Sequence, residues 1–131
     1  MPIYKAEDLK ATPDVKNPNV SMIQFGGELM KIGIVTYQSG EGPPPHIHPN
    51  DEQWIYPLEG RAAFIVGDQM VACGAGDVIH IPRHTVHGIR ILQGPFRFFS
   101  CKSPAGTGKL SEDYTDVPNQ AELRQKLAQV K

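Results

Sequence analysis

The sequence predicts an all-β domain, an antiparallel sandwich or barrel. Three observations carry this. Eight or nine short runs rich in β-branched and aromatic residues lie between about residues 20 and 103. Gly, Pro, Asn and Asp separate them at near-regular intervals. Only one stretch, near the C-terminal end, has helical periodicity.

Residues 1–19 contain Pro2, Pro13, Asn17, Pro18 and Asn19 and read as an irregular arm, with one helical turn near residues 6–10. The first strand is 20–25. Gly26 and Gly27 turn the chain, because a positive φ costs a glycine little. Residues 28–38 form a longer strand, β-branched at Ile32, Ile34, Val35 and Thr36. Residues 39–45 form a loop ending in three prolines. These cannot donate to a ladder, and they stiffen an extended entry to the histidine-bearing segment.

Residues 53–58 are the next strand. Its alternation sets Gln53, Ile55 and Pro57 on one face and Trp54, Tyr56 and Leu58 on the other. Glu59 and Gly60 turn the chain into 61–66. Gly67 and Asp68 make a hairpin into 69–73. After a turn at 74–76, residues 77–81 form a strand stopped by Pro82. Strand 86–92 puts His87, Ile89 and Ile91 on one face and Arg90 on the other. Gln93, Gly94 and Pro95 turn it into 96–102, where Phe96, Phe98 and Phe99 offer an aromatic wall.

Residues 103–116 are polar and contain glycine, and read either as a lid over the barrel mouth or as a surface tail, the tail being favoured. A helix is predicted over 119–130. Asn119 and Glu122 are spaced like a capping box, and Leu123, Leu127 and Val130 form an apolar stripe that must bury against a sheet or a second subunit.

The chemistry gathers between Gly40 and Gly60, GEGPPPHIHPNDEQWIYPLEG. His46 and His48 share a face on an extended segment, and imidazole is the commonest ligand for divalent transition metals. A third candidate, His87, closes GDVIHIPRHTVH, residues 76–87. Antiparallel strands distant in sequence lie side by side, so His87 can meet the pair.

These two stretches resemble the double motif of the cupin superfamily. Gly40, five residues, His46-x-His48, four residues, Gln53, six residues and Gly60 match the first motif. Gly76, five residues, Pro82, then His87 match the second. The resemblance covers residues 20–103 and implies a cupin-type jelly-roll barrel holding one divalent transition metal (Zn, Ni, Fe, Mn or Cu) on His46, His48, Gln53 and His87. Gln53 replaces the motif glutamate. Glu52 fits that position only if the closing spacing becomes seven, and alternation puts just one of the two inside. His84 replaces the second motif's glycine, and Ile91 its asparagine.

A glutamine oxygen is neutral and does not titrate, so the metal keeps its full charge for polarising a carbonyl. Cupins with this variant resemble sugar-acid and polyketide-processing members. Three readings compete. The first is an isomerase, cyclase or lyase of a small carbonyl-bearing molecule, with Glu52 or His84 as the catalytic proton carrier. The second is a non-haem iron dioxygenase. The third is a binding or sensor module without turnover. Tyr37, Arg83 and Arg97 are further polar candidates near the site.

The remaining composition excludes more than it selects. Length 131 suits one domain, residues 1–131. A formal net charge of −1 leaves no basic footprint for nucleic acid. No apolar run reaches membrane-helix length. No signal-peptide pattern opens the sequence, so a cytoplasmic location is expected, with Cys73 and Cys101 as free thiols. Trp54, Tyr56 and Leu58 form an outward aromatic strip, which predicts a homodimer.

Overall fold

The structure, a computed structural model, describes residues 3–14, 17–40 and 42–131. After a 3₁₀ turn at Ala6–Asp8 come nine strands and one helix: β1 (Thr12–Pro13), β2 (Val20–Gly26), β3 (Lys31–Tyr37), β4 (His46–Ile47), β5 (Glu52–Val66), β6 (Gln69–Gly74), β7 (Ile79–Ile81), β8 (His87–Ser103), β9 (Thr115–Asp116) and α1 (Gln120–Leu127). All pairings are antiparallel. The path runs β1-β2-β3-β8-β4-β9, and β5 joins β6, β7 and β8. The fold is the predicted mostly-β jelly-roll sheet with a short C-terminal helix.

Two long strands organise it. β5 and β8 pair along nearly their whole length, Glu52 opposite Ser103 at one end and Val66 opposite His87 at the other. The sequence splits each into two strands with a turn between. The structure keeps each continuous and bends it. The register breaks between Pro57 and Ala62, where Gly60 has a φ of 82°. The backbone of residues 93–96 lies against that glycine, so the bends of the two strands stack. Turn residues here mark bulges, where one strand gains a residue on its partner.

Alternation holds along β5. Gln53, Ile55 and Pro57 are buried, while Trp54, Tyr56 and Leu58 are exposed. On β8 the inward series is Phe96, Phe98, Ser100 and Lys102. The main core lies between the sheet faces, with Val20, Val35, Phe64, Ile81, Phe96 and Phe98. A second cluster lies outside. Leu123 and Leu127 of α1 pack on Ala63 and Ile65, each leucine contributing about 1.5–3 kcal/mol by leaving water. The helical stripe thus covers the outer face of a sheet. Asn119 is the N-cap, but its side chain makes no capping bond. The other end of α1 is secured instead. Arg90, pointing away from the site as expected, donates to the carbonyls of Leu127, Ala128 and Val130.

Residues 103–116 correct the reading as a surface tail. Leu110 is buried in the main core, and Lys31 Nζ meets Glu112 Oε1 at 2.6 Å. Asp113 accepts from the backbone N–H groups of Asn50 and Asp51 and from the Asn50 amide. Thr115 pairs with Ile47. This segment is a strap across the barrel end, and its β9 pairs with β4. Both cysteines are free, and no helix among the described residues is long and apolar enough to cross a membrane.

Candidate metal centre

β4 pairs with β8 so that His46 stands opposite His87. His48 comes two residues later on the same face as His46, and all three imidazoles are buried. Their ligand atoms lie within 4.8 Å of one another, an arrangement that could hold a metal ion. The sequence therefore selects these three correctly as neighbours.

The ring nitrogens show what each imidazole offers. His46 Nδ1 lies 2.7 Å from the Pro44 carbonyl, His48 Nδ1 2.8 Å from that of Asp113, and His87 Nδ1 3.0 Å from that of Thr85. A carbonyl only accepts, so each Nδ1 carries the proton. Each Nε2 is then left with a lone pair. The Nε2 atoms of His46 and His48 lie 3.3 Å apart. Two lone pairs facing at that distance repel unless a cation or proton lies between them. The donor set fits a divalent transition metal on chemistry alone.

Burial keeps His48 and His87 neutral. It is the main cause holding His48 down to about 3, with the Lys102 charge next and the bond to the Asp113 carbonyl opposing. His87 lies well below the ordinary 6.5, again chiefly through burial and then through His46. The metal-free fold therefore holds neutral rings that protonate near 6.5 once unfolded. Stability is full above pH 6.5 and is lost as pH falls from there toward 3. The loss approaches about 1.4 kcal/mol per pH unit for each ring. The urea midpoint of metal-free protein should hold steady from pH 7.5 to 6.5 and decline steadily from 6.5 to 4.5. A midpoint flat across the acid range would contradict neutral burial.

The imidazoles line a cavity of about 260 Å³ shared with Tyr37, Gln53, Ile55, Ile89 and Phe98. Gln53 Nε2 donates to Ser100 Oγ at 2.8 Å. With its nitrogen engaged there, the amide's oxygen is the end available as a donor. Tyr114 of the strap stacks on His46 at 4.2 Å.

Glu52 and His84 do not join this group. Glu52 is half exposed on the outer face, where its carboxylate accepts from Trp54 and meets His80 at 3.0 Å. One residue from Gln53, it takes the opposite face of the pleat. His84 is exposed in the loop before β8, and its backbone N–H donates to the His48 carbonyl. Its φ is 59°, so it occupies a left-handed turn position in place of glycine. Arg83 is also exposed, and Arg97 lies on the half-buried side of β8. Of the polar candidates read from sequence, Tyr37 alone reaches the cavity.

Sequence reading missed Lys102. It is 3% exposed and lines the cavity. Its Nζ lies 3.3 Å from His48 Nε2 and donates a short bond to the Leu110 carbonyl. Burial above all pulls its pKa down to about 8. The signal was the alternation from Phe96 through Phe98 and Ser100, which sets Lys102 inward.

A family model for the cupin domain matches residues 33–101, just over half of the chain. No curated protein matches the sequence. Among solved structures the chain is similar to KdgF from Halomonas sp., with a TM-score of 0.70 and 21% identity over 77% of this chain and 91% of that one. It is also similar to an RmlC-like cupin from Shewanella frigidimarina, with a TM-score of 0.68 and 23% identity over 78% and 89%. A third is the oxalate decarboxylase of Lactobacillus farciminis, in complex with formate. There the TM-score is 0.62 and the identity 22%, over 77% of this chain and only 32% of that one. At these identities the likeness carries the fold.

Proposed function

Because this chain belongs to the cupin domain family, we propose that it is a metal-dependent enzyme of the isomerase, cyclase or lyase type, acting on a small carbonyl-bearing molecule. The observation that carries this reading is the all-neutral donor set. Three histidines present Nε2 lone pairs with every Nδ1 tied to a carbonyl, and the nearby cavity-lining amide is Gln53, with no carboxylate in that position. A divalent ion so held keeps its charge for polarising a carbonyl oxygen.

The chain's own residues do the rest. The Nδ1 bonds fix ring orientation, so no reorganisation is needed when a ligand arrives. Ile55, Ile89 and Phe98 give the cavity an apolar wall that excludes water from the reacting group. A proton carrier for enolisation must come from the cavity wall, where Lys102 and Tyr114 stand, since Glu52 and His84 face elsewhere.

The test is metal content of protein made without a histidine tag, for the wild type, Gln53→Ala and Glu52→Ala. Near-stoichiometric metal is expected in the wild type and in Glu52→Ala, with affinity at least tenfold lower in Gln53→Ala. Loss in Glu52→Ala with retention in Gln53→Ala would reverse the assignment. Oxygen uptake coupled to turnover by iron-loaded protein would move the reading to a dioxygenase. Metal without turnover on any carbonyl substrate would favour a binding module.

A further inference from the structure

We propose that Lys102 makes the cavity a receptor for small carboxylate anions, gripping the carboxylate beside the histidine cluster. Lys102 is buried at the cavity wall, with Nζ 3.3 Å from His48 Nε2. An ammonium has three donors. One goes to the Leu110 carbonyl and one to the His48 nitrogen. The latter partner is the lone pair that a bound cation would take.

Asp51 lies close enough to favour the charge of Lys102, but the surrounding carboxylates are paired with other groups. Lys31 takes Asp51 and Glu112, and Asp113 takes Asn50 and the Asp51 N–H. Lys102 makes no salt bridge among the described residues. Lys31 stands directly across the ladder from it, so the nearest charge on the neighbouring strand is also positive, an unfavourable pairing. A buried cation in this position is stabilised by an anion arriving from outside. One ammonium matches the single negative charge of a monocarboxylate, and its third donor is left for a carboxylate oxygen. That the same ligand also reaches a metal rests on the function proposed above. The carboxylate grip does not.

The experiment uses lactate and its size-matched neutral amide, lactamide, titrated into ¹⁵N-labelled protein and followed by NMR. It is run on metal-stripped and on zinc-loaded wild type and Lys102→Met. Wild type should bind lactate about tenfold tighter than lactamide in the stripped form, the scale of one charge-assisted hydrogen bond. Lys102→Met should lose about tenfold in lactate affinity in both forms, with lactamide changed less than threefold. If the spectrum shows Lys102→Met unfolded, Lys102→Gln replaces it, keeping a donor for the Leu110 carbonyl. Equal binding of lactate and lactamide by wild type, or undiminished lactate binding in the folded variant, overturns the proposal. A Lys102-dependent preference in protein that takes up no zinc supports the carboxylate grip and removes only the metal reading.

Discussion

Gly60→Ala is expected to destabilise the protein by about 2–5 kcal/mol. Its φ is 82°, a region that costs a residue with a side chain about 1–2 kcal/mol. Space adds a second cost. A Cβ here would lie 2.6 Å from the Gln93 carbonyl oxygen and closer still to that of Pro95. Both are backbone atoms of β8 and cannot swing aside, so the bends of β5 and β8 must separate. Overpacking of this kind costs about 1–3 kcal/mol. At this chain length the sum lowers the melting temperature by roughly 7–18 °C. Gly76→Ala is the control. Its φ is 92°, but nothing lies within 4 Å of an added Cβ, so only the conformational cost applies. Equal shifts for the two variants in thermal melts would show that the stacked bends are not a tight contact.

Lys31→Met should cost about 3–5 kcal/mol, the usual result of removing one partner from a buried charge pair. Lys31 is 1% exposed and Asp51 3%. Lys31 Nζ lies 3.0 Å from Asp51 Oδ2, at an angle that makes no hydrogen bond, so that oxygen has no hydrogen-bond partner. Its stability rests on the charge of Lys31. The ion pair at 2.6 Å to Glu112 also ends, and with it one anchor of the strap. Urea denaturation measures the loss. Adding Asp51→Asn removes the stranded charge and should recover part of it, a coupling readable from the double-mutant cycle. A loss under 1 kcal/mol would mean that the aspartate finds water instead. Limited proteolysis of the variant should cut within residues 105–116, where the wild type resists.

The barrel was legible in the sequence because its strands alternate cleanly. Gln53, Ile55 and Pro57 against Trp54, Tyr56 and Leu58 is a period-2 pattern that one buried face imposes. The histidine trio was legible for the same reason, through i and i+2 spacing and a partner strand. Punctuation misled. Gly60 and the Gly94–Pro95 pair signal turns by local rules, yet they relieve crowding at bends within strands held by long-range pairing. The strap was read as a tail in preference to a lid because its apolar anchors, Ala105 and Leu110, sit among Gly, Ser, Thr and acidic residues, and its bonds reach partners far away in sequence. His84 was read for its imidazole, while its turn needs only its backbone.

The three Nδ1 protons end on main-chain carbonyls, those of Pro44, Thr85 and Asp113. Every amino acid supplies a carbonyl. The electronic state of the three rings is therefore set by chain path, and side-chain replacement at positions 44, 85 and 113 leaves the acceptor in place wherever the path survives. Positions 44 and 85 can vary in this way, whereas at 113 the carboxylate that accepts from Asn50 and Asp51 also holds the path. Proteins sharing this arrangement could differ at the first two positions and still present the same three lone pairs.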